Sequence, residues 1–479
     1  MSNLSIAAAN GVRVAENIKP KDRDGVIQAL RAGVVPRTGI QLVQVGRAGE
    51  VNQVVLDVNR IADKGSAVRF IIGDYGSGKT FFLNLARSIA MQSKLVVVHA
   101  DLSPDRRIHA SGGQARSLYA ELMRNMATRT KQEGGALASV VERFIMDAQA
   151  AAKASDRKVG DVIQERLLPI QELVSGYDFA TVIERYWRAF EEGSEIGKAA
   201  ALRWLRGEYT LKTEARDALG VRSIIDDTSV YDYLKVMSRF VTLAGYSGFL
   251  VMLDECVNLF KLVSAQSRNA NYEQILRIVN DVLQGSAESL GVYFGGTPEF
   301  LMDSRRGLYS YEALRSRLAE NSFARNGLID LSGPVIRLQS LTPEDLYILL
   351  SKLRHVFAYG DQGRYLVPDE VFKAFMVHCN QKIGEAYFRT PRNTIKGFLD
   401  LLAILEQNPQ AQWQDLVNQA EIAPDAPPAG GDIIDDDQPG APTVAPASGP
   451  GEAPAAPKPA PATGLGSASS GDDLADFKL

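Results

Sequence analysis

The chain has 479 residues, 45% of them hydrophobic and 23% charged, with a formal net charge of −4 at pH 7. This composition is typical of folded globular proteins and excludes a chain that is mostly disordered or mostly embedded in a membrane. The length exceeds what one hydrophobic core usually serves, so we expect two or three domains.

Targeting signals and cysteines bear on the compartment. The chain opens with MSNLSIAAAN, which lacks a basic segment followed by a long apolar one, and no later window offers the roughly 20 apolar residues of a membrane-spanning helix. Only Cys256 and Cys379 occur, far apart in the sequence, as is typical of a reducing compartment. We therefore predict a cytoplasmic protein with no membrane contact.

Short apolar runs alternate with longer helical patterns in residues 25–114 and 245–340, after an N-terminal segment of residues 1–24. Such alternation is typical of an α/β fold, in which helices flank a parallel sheet. Near-continuous apolar runs predict strands that are covered on both faces. The five predicted strands are residues 68–73, 95–101, 248–254, 291–295 and 335–338.

Helical patterns dominate two further regions. Residues 115–244 lie between the second and third predicted strands, and we predict that they form a helical insertion, which is also a candidate partner surface. Glycines interrupt this pattern at positions 134, 135, 207 and 220. Residues 341–420 hold three more helical patterns, and Thr342 before Pro343 predicts an N-cap. We predict a small helical lid there.

The C-terminal residues 421–479 differ from the rest in composition. They hold ten acidic side chains against Lys458 and Lys478, a net charge of −8, which leaves +4 for residues 1–420. Pro, Ala, Gly and Ser dominate, so we predict a disordered acidic tail. Its last residues, GDDLADFKL, place apolar side chains among acids. They are a candidate peptide docking motif, and the alternative is a merely solubilising end.

A glycine-rich motif joins the first predicted strand to an amphipathic helix. Gly73-x-x-x-x-Gly78-Lys79-Thr80 has the spacing of a P-loop, in which backbone N–H groups surround phosphates. The lysine reaches the β and γ oxygens and the threonine hydroxyl binds Mg²⁺. We predict a site for ATP and Mg²⁺. The predicted cofactor-binding residues of this loop are Gly73, Asp74, Tyr75, Gly76, Ser77, Gly78, Lys79, Thr80 and Phe81.

Two adjacent acids follow the third predicted strand, in GFLVMLDE. Asp254 is predicted to hold Mg²⁺ together with Thr80, because hydrolysis needs an oriented metal ion. Glu255 is predicted to be the general base that activates the attacking water. The alternative is an acidic pair at the start of a helix.

Polar residues further along the chain could complete the catalytic site. Thr297 follows the fourth predicted strand and could sense the γ-phosphate or hold the attacking water, or simply cap a loop. Among the arginines of MDSRRGLYSYEALRSRLAEN, we predict Arg315 and Arg317 as candidates for an arginine finger that acts on a neighbouring subunit. Arg392 begins a lid helix and could lean over the phosphates, or form a structural salt bridge.

An apolar segment precedes the first predicted strand. Val34, Val35, Val45 and Gly46 could form a slot for adenine, whereas the neighbouring Arg47 is interpreted as structural.

The order of these motifs resembles the AAA+ class of P-loop ATPases, nearest its replication-initiator and STAND-related clades, over roughly residues 25–410. More closely, RAGVVPRTGIQLVQVGR, GDYGSGKTFFL, HADLSPDRRIH, ALRWLRGE and VMLDE resemble the BREX-system ATP-binding family typified by BrxD, part of bacterial phage-defence islands. The resemblance implies a cytoplasmic ATPase that acts with other defence-system proteins on or near DNA. It does not account for the acidic tail.

Two hypotheses follow for function. The first is an ATP-hydrolysing AAA+ protein that assembles on double-stranded DNA or remodels a DNA-bound partner. A homo-oligomer is a candidate form of this assembly. The second is a nucleotide-switch scaffold with slow ATPase, which gates assembly of a protein complex and does not bind DNA. Salt-dependent DNA affinity distinguishes them.

Overall fold

The computed structural model describes residues 17–324 and 330–423. Its centre is a five-stranded sheet in the order β2-β3-β4-β1-β5, and every strand pair in it is parallel. The strands are β1 Ser66–Ile72, β2 Leu95–Asp101, β3 Gly248–Asp254, β4 Leu290–Gly296 and β5 Val335–Arg337. This confirms the predicted α/β class with a parallel sheet. Each predicted strand is present with ends displaced by at most two residues.

Nineteen α-helices lie in the described part of the chain. In chain order they are α1 Pro20–Arg31, α2 Ala48–Ala62, α3 Lys79–Gln92, α4 Gln114–Arg124, α5 Leu137–Ser155, α6 Val159–Gln171, α7 Gly176–Glu191, α8 Glu195–Leu205, α9 Lys212–Leu219, α10 Val230–Leu243, α11 Val257–Phe260, α12 Ala265–Leu283, α13 Pro298–Met302, α14 Glu312–Leu318, α15 Pro343–Phe357, α16 Glu370–Ile383, α17 Ala386–Arg389, α18 Arg392–Gln407 and α19 Trp413–Gln419. None of these helices is long and apolar enough to cross a membrane.

Both faces of the sheet are covered, which explains why its strands are apolar throughout. Every residue of β3 and β4 is buried. Helices α2 and α3 close one face. That face also holds a buried ion pair, in which Arg69 of β1 donates to both carboxylate oxygens of Asp57 in α2, at 2.6 and 2.7 Å. The Tyr293 hydroxyl of β4 donates to the same carboxylate at 3.0 Å.

The helical insertion covers the other face of the sheet. Helices α4 to α10 fall in residues 114–243, and their apolar side chains join those of the strands in one continuous core. Trp204 is fully buried in it and donates its indole N–H to the carbonyl of Ser223 at 3.0 Å. The insertion therefore shares its core with the sheet.

A second core holds the lid. It joins α15, α16 and α18 to the N-terminal helix α1, which therefore packs with the lid and crosses the boundary predicted at residue 24. Arg31 of α1 forms an ion pair with Asp400 of α18 at 2.8 Å. Thr342 caps α15 in a capping box with Pro343 in the first turn, so the predicted cap is confirmed. The predicted acidic tail and its docking motif lie outside the described residues from position 424 onward.

Candidate functional site

The P-loop lies between β1 and α3, at the carboxyl edge of the sheet. Gly76 and Gly78 have φ angles of +79° and +81°, which glycine adopts without the steric cost that a side chain brings. A side chain at Gly76 would also come within 2.7 Å of the Thr390 methyl group of the lid. The loop is therefore curled tightly, and the lid packs directly against it.

Lys79 and Thr80 open helix α3 below the loop. The Lys79 Nζ donates to the carbonyls of Gly73 and Asp74, each at 2.9 Å, so the ammonium lies inside the curl. Burial lowers the pKa of Lys79, while the negative charge of Asp254 acts in the opposite direction. A positive charge at a helix N-terminus, where the first backbone N–H groups have no partner within the helix, suits the phosphates of a nucleotide.

The oxygen ligands that a magnesium ion would need lie side by side. The Thr80 hydroxyl donates to Asp254 Oδ2 at 2.9 Å, although the two residues are 174 positions apart. Asp254 reaches across β4 because Gly295 has no side chain in its path. A hydroxyl and a carboxylate supply hard oxygen donors, and Mg²⁺ in such sites takes its other ligands from water and phosphates. The two residues therefore fit a nucleotide-bound Mg²⁺.

Glu255 has an unusual backbone conformation. Its φ is +56°, in the left-handed region that is uncommon for residues other than glycine, and its N–H donates to Asp254 Oδ1 at 2.8 Å. Burial raises the pKa of Glu255, and the charges of Asp254 and Asp101 raise it further. A carboxylate with a raised pKa is a better proton acceptor near neutral pH. The geometry thus suits Glu255 to the general-base role predicted for it.

Asp101 is a third acid at this edge, and sequence reasoning did not select it for the site. It is the last residue of β2 and pairs in register with Asp254 of β3. Burial and the charge of Asp254 raise its pKa. Like Asp254, Asp101 lies at the end of a predicted strand, and this position was the sequence feature that could have identified it as a site residue.

A cavity of about 250 Å³ extends from the P-loop toward the lid. Val34, Val35 and Val45 line it, as expected for an adenine slot, whereas Gly46 does not and instead faces the Asp345 side chain. Further apolar lining residues come from three parts of the chain: Val43, Phe81, Leu341, Leu349 and Ile395. Glu255 and Tyr75 to Phe81 also line the cavity, so it joins an apolar end to a phosphate-binding end.

Comparison with protein families matches residues 18–421 to the family described as BREX system ATP-binding protein BrxC/D. The chain belongs to the BrxC/D family. It is thus an ATP-binding protein of a BREX phage-defence system. A search of curated proteins found no match.

Two arginines of this BREX ATP-binding protein also line the cavity. Arg47, interpreted as structural from the sequence, donates to the Ser77 carbonyl of the P-loop and to the Gln339 carbonyl at 3.1 Å. Burial lowers the pKa of Arg47. Arg392 begins α18, and its aliphatic stem packs on Gly33. Within the described ranges, the Arg392 guanidinium makes no ion pair or hydrogen bond, so it remains available to a ligand.

Three further predicted residues of the BREX protein do not line the cavity. The Thr297 hydroxyl accepts from the Phe300 N–H at 3.4 Å and caps α13, which was the alternative interpretation of this residue. Arg315 is exposed beside Glu312 at 3.7 Å. Arg317 donates to Asn280 at 2.6 Å. The roles predicted for these three residues stay predictions.

Proposed function

We propose that this protein hydrolyses ATP with Mg²⁺, within the AAA+ class. The observation that carries the proposal is the hydrogen bond between Thr80 and Asp254 beside Glu255, which lines the ATP cavity. A site that only binds ATP would need no second carboxylate lining the cavity beside Asp254. Glu255 also combines a left-handed backbone conformation with a raised pKa, and groups perturbed in this way cluster at catalytic sites.

The chemistry follows from the positions of these groups. Lys79 binds the β and γ oxygens, while Glu255 takes a proton from the attacking water. Thr80 and Asp254 would hold Mg²⁺, which when bound would neutralise charge that develops on the phosphates. Arg392 approaches the phosphates from the lid. The apolar end of the cavity holds adenine.

We place this ATPase in the cytoplasm, where it acts with other defence-system proteins and assembles on double-stranded DNA or remodels a DNA-bound partner. The net charge of +4 over residues 1–420 supports contact with DNA. In a homo-oligomer, the exposed Arg315 or Arg317 would supply a finger to the neighbouring subunit's ATP. The acidic tail would dock on a partner.

A second candidate function is a nucleotide switch that gates protein assembly without DNA. The helical insertion favours it, because Ile196, Val174 and Tyr177 are exposed to 86%, 71% and 60%. Large exposed apolar side chains are frequent at protein interfaces, so the insertion is a candidate docking surface for a protein partner.

The test is steady-state ATPase activity of the purified protein, with and without double-stranded DNA, over a salt series. Lys79→Ala should weaken ATP binding, whereas Glu255→Gln should retain ATP binding and lose turnover. Normal hydrolysis by Glu255→Gln would refute the general-base assignment. DNA stimulation that fades with salt supports the first candidate, and slow activity that is indifferent to DNA supports the switch.

A further inference from the structure

Two arginines share one carbonyl near the surface beyond Glu255, and two further basic residues lie directly beside their segments in the chain. They belong to three segments: the connection between α11 and α12, the first turn of α12, and the residues that follow α13. We call them the basic cluster, which consists of Lys261, Arg268, Arg305 and Arg306. The function described above uses none of them.

The centre of the basic cluster is a single carbonyl. Arg268 Nη1 donates to the oxygen of Leu262 at 2.6 Å, and Arg306 Nη2 donates to the same oxygen at 2.8 Å. Two guanidinium groups are therefore held close together. Each keeps N–H donors beyond those that bind Leu262, because a guanidinium carries five.

Further contacts fix the position of Arg306. The Tyr272 hydroxyl donates to the Arg306 carbonyl at 2.6 Å, and the Arg306 guanidinium lies 5.5 Å from the centre of the Phe260 ring. Burial, followed by the charge of Arg306, lowers the pKa of Arg268. The pair is thus organised by the fold at some electrostatic cost.

Direct ion pairing does not offset this cost in the part of the chain that the structure describes. Among residues 17–324 and 330–423, none of the four side chains forms an ion pair, whereas Arg277 of the same helix α12 is paired with Asp232 at 2.7 Å. The nearest acid in sequence, Asp303, uses Oδ1 to accept the backbone N–H groups of Arg305 and Arg306, at 2.8 and 2.9 Å. The charge of Asp303 acts on Arg305 and Arg306, and that of Glu255 acts on Lys261, so four positive charges face two negative ones.

We propose that the basic cluster binds the backbone phosphates of double-stranded DNA. Guanidinium groups present paired donors that match phosphate oxygens, and positive charges spread over neighbouring segments suit a chain of regularly spaced phosphates. An acidic peptide with apolar anchors would need an apolar-floored groove. Here the segments that carry the cluster expose two large apolar side chains, Val263 at 47% and Met302 at the end of α13 at 41%, which are too few to form such a groove.

The position of the basic cluster adds a functional consequence, which rests on the proposed function. Lys261 directly follows the short helix α11, which begins two residues after Glu255. DNA held at the basic cluster would contact the segment that carries the catalytic base. Binding at this surface is therefore a route by which DNA could act on ATP turnover.

The test measures DNA binding by the full chain and does not depend on hydrolysis. A fluorescently labelled DNA duplex of arbitrary sequence is titrated with protein over a salt series, and the anisotropy of the label gives the Kd for DNA. The variant is Lys261→Glu with Arg305→Glu, because neither side chain makes a hydrogen bond within the described residues and loss of folding is not expected. Retained binding of a fluorescent ATP analogue, together with an unchanged circular dichroism spectrum, verifies folding.

The matched control is Lys64→Glu with Lys94→Glu. These exposed lysines precede β1 and β2, at the opposite edge of the sheet, and the charge change is identical. The wild-type protein should bind the duplex, with log Kd linear in log salt concentration. The cluster variant should bind at least about tenfold more weakly at low salt, with a slope reduced by about 2, one for each lost phosphate contact. The control should differ from wild type by less than about threefold.

Three outcomes would overturn the proposal, and they separate it from the proposed function. If the wild type binds DNA and both variants bind equally well, DNA contact occurs elsewhere and the ATPase proposal stands. If the wild type binds no DNA at any salt concentration, the DNA-directed function fails as well. If the wild type binds the synthetic peptide GDDLADFKL but no DNA, and the cluster variant loses the peptide, then the surface binds acidic peptides.

Discussion

Arg47 offers the sharpest test of the ATP site, because its role came from the structure. Arg47→Ala removes a guanidinium that bonds the Ser77 carbonyl of the P-loop and, at 3.1 Å, the Gln339 carbonyl between β5 and the lid. A hydrogen bond from a charged donor contributes about 1.5–3 kcal/mol. If the P-loop relaxes without the Arg47 guanidinium, ATP binding becomes weaker by that energy, and the Kd for ATP rises about 10- to 150-fold.

The assay is equilibrium titration of the protein with a fluorescent ATP analogue in the presence of Mg²⁺. Arg37→Ala is the matched control, since Arg37 belongs to the same connecting segment but forms only an exposed ion pair with Glu133 at 3.3 Å. Arg47→Lys keeps the charge and loses the two-pronged geometry, so it should fall between wild type and alanine. An Arg47→Ala variant that is folded and binds the analogue within twofold of wild type would refute this reasoning.

Two further predictions concern the acids of the site and the buried ion pair. Asp101→Asn removes a negative charge that raises the pKa of Glu255, so the acid limb of the ATPase pH profile should move to lower pH. The control is Asp63→Asn, which changes an exposed residue at the opposite edge of the sheet and should leave the pH profile in place. An unmoved profile in Asp101→Asn would show that Glu255 does not set this limb. Arg69→Met leaves Asp57 buried without its cation and should lower the free energy of unfolding by about 3–5 kcal/mol, measured by urea denaturation. A loss below about 1 kcal/mol would contradict the importance of that pair.

Local sequence determined the sheet and the phosphate end of the site. Strand β3 is apolar from Gly248 to Leu253 because both of its faces are buried, so composition alone indicated it. The P-loop was equally easy to identify from sequence, since Gly76 and Gly78 must adopt conformations that few other residues tolerate. The family resemblance was confirmed over residues 18–421.

Tertiary structure decided which distant residues complete the site. Arg47 reaches Ser77 only because the connection between α1 and α2 folds back over the P-loop, and no local pattern encodes that path. Asp101 lies beside Asp254 through strand register, which depends on the order of β2 and β3 in the sheet.

The same reason explains the interpretations that local sequence left open. A hydroxyl such as that of Thr297 can cap a helix or face a ligand; the structure shows the cap, and the ligand role stays a prediction. The basic cluster forms where segments around Leu262 and Arg306 converge, more than 40 positions apart in the chain. Local sequence thus determines the backbone conformations and the chemistry available to a residue. Long-range packing determines which partners the residue contacts and therefore its role.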